Sequence, residues 1–300
     1  LLRREVRVKI LISDSFDPSL PERLARFGVV TDDKDRLPEV DVVLVRSKTK
    51  CTRDYIDSAR NLKLIIRGGV GLDNIDLDYA RSKGIRVYNT ASASSIAVAE
   101  MTFAHMLAVP TRLIEAHNSM KEGRWAKKEM KRTELFGKTL GIIGAGNIGT
   151  EVAKRALAFG MRVLAYDPLV KVHKFAELVP FDELLETADY ITIHVPLIEA
   201  TREMIRAETI DRMKDGVVLI NTARAGCVVE EDMAEALRSG KVRAYATDVW
   251  YSDPPDPESP ILAAPNVVMT PHIGASSREN MLRIGDVVVE ILSEHEQQIG

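Results

Sequence analysis

Apolar residues recur along the chain in short β-branched runs, separated by stretches that read as helices. Residues 6–12, with Val6, Val8, Ile10 and Ile12, form the first run, and 41–45, 62–66 and 85–88 follow. Between them, residues 18–27, 52–59 and 76–83 read as helices. Strands spaced by short helices predict βαβ units and a parallel sheet. From residue 92 the rhythm breaks. Ile96, Ala99, Phe103, Met106, Leu107 and the run 109–113 predict a long helix interrupted near Pro110. The alternation then resumes, with strands expected at 139–143, 162–166, 190–194, 217–221, 243–247 and 267–269, and helices at 147–159, 182–187, 207–213 and 230–239. Residues 276–297 read as one amphipathic helix with Met281, Ile284, Val288, Ile291 and Leu292 on its apolar side.

Composition adds a few exclusions. A length of 300 residues suggests two domains. Apolar and charged fractions of 45% and 28% exclude a disordered or collagen-like chain. A net charge of −3 gives no general attraction to nucleic acid or to an anionic membrane. The longest uncharged stretch, 259–277, holds Pro260, Pro265 and Pro271, so it is not expected to span a bilayer. The first residues show no apolar signal-peptide core. Cys51 and Cys227 match neither a zinc spacing nor a disulfide framework and read as reduced thiols. Together these predict a cytoplasmic protein without a metal site. Glutamine occurs only at Gln297 and Gln298, which fits a thermophilic source.

Chemistry enters at residues 139–149, where a strand runs into Gly144-Ala145-Gly146-Asn147-Ile148-Gly149 and then a helix. In this G-x-G-x-x-G arrangement Gly144 makes the tight turn, Gly146 lets a pyrophosphate approach the backbone, and Gly149 lets helix and strand pack closely. The helix N-terminus offers N–H groups to the anion. Asp167 ends the next strand, 18 residues after Gly149, near the spacing of an acid that binds the adenosine ribose. An acid there repels a 2′-phosphate, so NAD is expected rather than NADP.

Three later strands end in reactive side chains: Arg224 after 217–221, Asp248 and then Asp253 after 243–247, and His272 after 267–269. Ligands of doubly wound sheets bind at these carboxyl edges. A guanidinium can fork onto a carboxylate or polarise a carbonyl. A histidine can exchange an alcohol proton, and a neighbouring carboxylate fixes its ring. The set suits a 2-hydroxy or 2-oxo acid.

These motifs resemble the D-isomer-specific 2-hydroxyacid dehydrogenases, with NAD as cofactor. The resemblance is carried by 67–76 (RGGVGLDNID), 119–125 (SMKEGRW), 133–141 (TELFGKTLG), His194-Val195-Pro196-Leu197, Asn221-Thr222-Ala223-Arg224 and 271–277 (PHIGASS). Within the family the chain is most similar to the branch acting on 3-phospho-D-glycerate. The resemblance implies His272 as acid/base, Asp253 as its partner and Arg224 on the substrate carboxylate or carbonyl. It implies Gly68, Gly69 and Val70 as backbone donors to the carboxylate, and Arg46, Arg67 and Asn89 toward the distal, phosphorylated end. Cofactor contacts are expected at Gly144, Gly146, Asn147, Ile148, Gly149, Asp167, His194, Pro196, Ala223 and Asp248. Two positions depart from the pattern. Asp253 stands where the family usually has glutamate, so its pairing with His272 is expected to be looser or to need a small shift of its loop, and Ala225 stands where glycine is usual.

The expected architecture is α/β, with two doubly wound parallel-sheet domains: a Rossmann-type cofactor domain, residues 91–274, inserted into a flavodoxin-like substrate domain, residues 1–90 and 275–300. A cleft between them would close about a two-stranded hinge. The resemblance implies a homodimer, or higher homo-oligomer, through the cofactor domains. A glyoxylate or hydroxypyruvate reductase and an NAD-sensing corepressor are the alternative readings. The chain ends with the returning helix, so no serine feedback through a C-terminal regulatory module is expected.

Overall fold

The computed structural model describes residues 8–299. Val6 and Arg7 of the first predicted strand lie outside them. The chain divides into two units, Leu1–Ser94 with Ala275–Gly300, and Ser95–Gly274.

The first unit holds a five-stranded parallel sheet: β1 (Val8–Ile12), β2 (Gly28–Thr31), β3 (Val42–Val45), β4 (Leu64–Arg67) and β5 (Arg86–Asn89), in the order β2-β1-β3-β4-β5. Alternate residues of each strand face opposite layers. Ile10, Val42, Leu44, Leu64 and Ile66 pack with Leu20 and Leu24, and with Ile284, Val288 and Leu292 of the helix Arg278–Ile299. Leu11, Val43, Val45 and Ile65 pack with Ile56, Ala59 and Ala80 on the other side. Both faces are covered, which is why β3 reads as an unbroken apolar run. The helices on this second face start at side-chain caps: Thr52 accepts from the Tyr55 N–H, and Asp76 from the Tyr79 N–H.

The second unit holds a seven-stranded parallel sheet: β6 (Thr139–Ile143), β7 (Arg162–Tyr166), β8 (Glu177–Leu178), β9 (Tyr190–Ile193), β10 (Val217–Asn221), β11 (Val242–Thr247) and β12 (Val267–Met269). Its order is β12-β11-β10-β9-β6-β7-β8. The direction of winding reverses at β6, between β7 and β9, the place where such sheets open a ligand crevice.

The long helix spans Ala91–Thr111, and a second, Leu113–Lys121, comes after it. The break falls at Arg112, whose φ of +52° lies in the left-handed region, two residues after Pro110. The first of these helices is long and apolar enough to cross a bilayer. Ala99, Phe103 and Met106 on it are instead buried against Leu140 of β6 and against Val152 and Ala156 of the helix Asn147–Ala158.

Candidate active site

The glycine turn after β6 has the geometry its spacing predicts. Gly144 adopts φ +96°, and a Cβ there would lie 2.6 Å from the His194 carbonyl oxygen. A Cβ on Gly149 would lie 2.1 Å from the Gly144 oxygen, so only glycine lets the helix Asn147–Ala158 start this close to the strand. Around Gly146 the space is open. Gly146 is also the N-cap and no side chain caps the helix. The N–H groups of its first turn, including Asn147, Ile148 and Gly149, therefore point at an anion's place.

Asp167 ties this turn to the end of β7. Its Oδ2 accepts from the Ala145 N–H (2.9 Å) and its Oδ1 from the Leu169 N–H (2.9 Å). Each oxygen keeps a lone pair for a diol. His194 comes directly after β9. Its Nε2 meets Thr192 Oγ1 at 2.9 Å, while Nδ1 is enclosed with no hydrogen-bond partner among the described residues. Burial pushes its pKa down to about 3, so the ring is neutral. Pro196 is exposed two residues on, and Ala223 is buried with its N–H on Asn221 Oδ1. An open Gly146, an uncapped helix start and an enclosed, unpartnered ring nitrogen fit a dinucleotide.

The predicted side chains follow the ends of three neighbouring strands of this unit, β10, β11 and β12. His272 Nδ1 lies 2.6 Å from Asp253 Oδ2. A carboxylate only accepts, so Nδ1 carries the proton and Nε2 is left as an acceptor. Of the two expectations for the shorter side chain, the looser pairing is not found: the loop after β11 carries Asp253 within hydrogen-bond distance of His272. Arg224 caps a short 3₁₀ turn, Ala225–Cys227, and its Nη1 donates to the Ala223 carbonyl at 2.6 Å. Ala225 is buried and the turn forms with it in place of glycine.

Asp248 is buried and already engaged. Oδ1 accepts from Thr270 Oγ1 (2.6 Å) and the Ile273 N–H (2.9 Å), and Oδ2 from the Gly274 N–H (2.7 Å). Oδ2 retains one acceptor site, enough for a single amide donor.

In the first unit, Arg46 sits just past β3 and Arg67 ends the neighbouring β4. Asp14 anchors the Arg46 loop: it accepts from the N–H groups of Arg46 (2.6 Å) and Thr49 (3.1 Å) and from Thr49 Oγ1 (2.6 Å). Asn74 Nδ2 donates to the carbonyls of Arg46 and Thr49. Arg46 Nε is enclosed without a hydrogen-bond partner among the described residues, and burial lowers the guanidinium pKa while the Asp14 charge raises it. The Gly68 and Gly69 N–H groups, expected to face a carboxylate, are already donated to the Val45 carbonyl (2.8 Å) and Thr90 Oγ1 (2.8 Å). Asn89 turns its amide onto the Val70 carbonyl at 2.6 Å, so it shapes this turn.

Sequence does not single out Asp14, Asn74 or Thr90 as site residues, although Asn74 lies inside the 67–76 motif. Their signal is a polar residue beside a strand end, visible only once its distant partner is known.

The sequence model described as D-isomer specific 2-hydroxyacid dehydrogenase, NAD binding domain, matches residues 103–274. A hydroxypyruvate reductase of Thermotoga maritima is 51% identical over 257 residues, covering 85% of this chain and 84% of that protein. A D-3-phosphoglycerate dehydrogenase of Methanocaldococcus jannaschii is 44% identical over 296 residues, 94% of this chain. The chain spans about half of that longer relative, 56% of its length. Among solved structures, a D-lactate dehydrogenase from Aquifex aeolicus complexed with NAD and lactic acid superposes with a TM-score of 0.86 at 31% identity, over 97% of each chain. With the fold, the glycine turn and the paired histidine in place, the chain belongs to the D-isomer specific 2-hydroxyacid dehydrogenases and uses NAD to oxidise or reduce a small hydroxy or oxo acid.

Proposed function

We propose that this enzyme oxidises the C2 hydroxyl of 3-phospho-D-glycerate to give 3-phosphooxypyruvate. The observation that carries this reading is the Arg46 guanidinium, held just past the end of the strand next to that of Arg67, the Arg46 Nε enclosed and without a hydrogen-bond partner among the described residues. A buried donor left unmatched is costly, and an anionic oxygen of the substrate's distal group would satisfy it.

Bound NAD would be held by the Gly144–Gly149 turn, Asp167 and Asp248, and it supplies the hydride acceptor. His272 Nε2 takes the hydroxyl proton as C2 is oxidised. Asp253 keeps Nδ1–H oriented and stabilises the imidazolium that forms. Arg224 orients the oxygen that becomes the carbonyl. To test the substrate, kcat/KM is compared for 3-phospho-D-glycerate and D-glycerate. A clear preference for the phosphorylated acid is expected, and a preference for D-glycerate would overturn the phosphate assignment.

A second reading, reduction of hydroxypyruvate, is favoured by the 51% identity to the Thermotoga maritima protein and by the share of that protein matched. It uses the same His272, Asp253 and Arg224 in the reverse direction, with His272 giving its proton, and it differs further in what Arg46 and Arg67 meet.

We also propose that the enzyme is a homodimer through its cofactor-binding unit. Leu113, Ile114, Trp125 and Phe136 are exposed there, the last two with 76% of their surface accessible. Apolar exposure of this kind marks interaction surfaces. A single monomer-sized species by light scattering at micromolar concentration would contradict the dimer.

A further inference from the structure

We infer that His105, acting through Thr270 and Asp248, is a positioning residue for the loop that carries the acid/base His272. This rests on the reading of His272 as proton acceptor.

His105 lies on the helix Ala91–Thr111 and is buried. Its Nε2 is 2.9 Å from Thr270 Oγ1, which is 2.6 Å from Asp248 Oδ1. The protons in this chain can be assigned. Asp248 as a carboxylate only accepts, and Thr270 has one hydroxyl proton, which goes to Asp248. Thr270 Oγ1 must then accept from His105, so His105 is the Nε2–H tautomer. Its Nδ1 is enclosed without a hydrogen-bond partner among the described residues. Burial lowers the His105 pKa and the Asp248 charge raises it.

The consequence lies one turn away. Asp248 also accepts from the N–H groups of Ile273 and Gly274, so it grips the loop on both sides of His272. A Cβ on Gly274 would lie 2.8 Å from Asp248 Oδ2. The Thr270 carbonyl accepts from Trp250 Nε1 (3.0 Å) and from the His272 N–H (3.1 Å). This grip holds His272 at φ +55°, a conformation side-chain-bearing residues rarely adopt. Strain of that kind persists only where the surroundings over-determine it. Without His105, Thr270 Oγ1 keeps its bond to Asp248 but loses the group that fixes its direction.

The same helix face makes a second tie. Thr102, three residues earlier, meets Thr222 at 3.0 Å, two residues before Arg224. One helix face thus braces the loops of both Arg224 and His272.

The test compares His105→Leu and Thr270→Val with His105→Gln and Thr270→Ser, which keep a donor or hydroxyl in place. The substrate is D-glycerate or 3-phospho-D-glycerate, whichever turns over faster, with and without deuterium at C2. The apolar variants are expected to lower kcat about tenfold, equivalent to about 1.4 kcal/mol of barrier, and to raise the isotope effect on kcat. The conservative variants restore the rate. Wild-type kcat and isotope effect in folded His105→Leu would overturn the inference. Wild-type kcat in His272→Asn would instead remove the acid/base reading on which it rests. A measurement on the wild type needs no variant to fold: ¹⁵N shifts of His105 should report the Nε2–H tautomer, and an Nδ1–H tautomer would overturn the proposed chain of bonds.

Discussion

Two glycine turns in this molecule come after buried parallel strands, and they present positive charge differently. The turn after β4 contains Gly69 at φ +145°, and the turn after β6 contains Gly144 at φ +96°. In the first, the Gly68 and Gly69 N–H groups are spent inside the unit, and the next helix, Leu77–Ser82, starts well downstream. Positive charge comes from side chains: a Cβ on Gly69 would fall 1.5 Å from Arg67 Nη1, so the guanidinium lies directly over the glycine. In the second, the chain runs straight into a twelve-residue helix, and the backbone supplies the positive end. Glycine spacing alone does not separate these cases. The segment downstream of the glycines does, a loop in one turn and a helix in the other.

On the proposed reading, binding falls to both turns and chemistry to neither, so the largest loss of rate is expected from elsewhere. His272→Asn is expected to lower kcat by about 10²–10⁴-fold, the range for losing a general acid/base, with NAD affinity retained in fluorescence titration. The next effect separates the turns. Gly149→Val places carbon against the Gly144 carbonyl, at a cost of about 1–3 kcal/mol for overpacking. Saturating NAD should raise the Tm of the wild type and leave that of this variant unmoved.

The first turn is probed by Arg46→Met. Hydrogen bonds to a charged group contribute about 1.5–3 kcal/mol, so kcat/KM for 3-phospho-D-glycerate should fall roughly 10- to 150-fold. The value for D-glycerate should hardly change. Equal losses on both acids would mean that Arg46 serves the fold of its loop and not the distal group.

The same physics decides how much of the molecule is legible in its sequence. The strands of a sheet covered on both faces are continuous β-branched runs, so β3, β4, β6, β9 and β10 stand out. β2 does not, because it is a four-residue strand, none of it fully buried, continuing from a helical stretch. β8 has only two residues. The glycine turn, Asp167, Arg224 and His272 are readable because their spacing along the chain carries the signal. His105 reads as structural or solvated by sequence, since its partner Thr270 is 165 residues away and only the fold brings them together. The distance from Asp253 to His272 depends on a loop path that side-chain length does not predict.

The smallest effect concerns what backs the second turn. A Cβ on Gly144 would press on the His194 carbonyl, so the turn leans on a residue whose ring is held neutral by burial. The folded pKa of about 3 lies below the unfolded value, near 6.5. Above pH 6.5 both states are neutral at this site and its contribution is fully present. Below 6.5 the unfolded chain binds a proton that the folded chain refuses, so stability falls with pH down to the folded pKa. The slope for one such group is about 1.4 kcal/mol per pH unit, so from pH 6.5 to 5 it amounts to at most about 2 kcal/mol. Urea unfolding of the wild type and His194→Asn at pH 7 and pH 5 isolates it, because the other histidines are common to both. The wild type should lose more stability than the variant on acidification. Equal losses would mean that His194 accepts a proton in the folded state, and the second turn would then have a charged side chain behind it, as the first has in front.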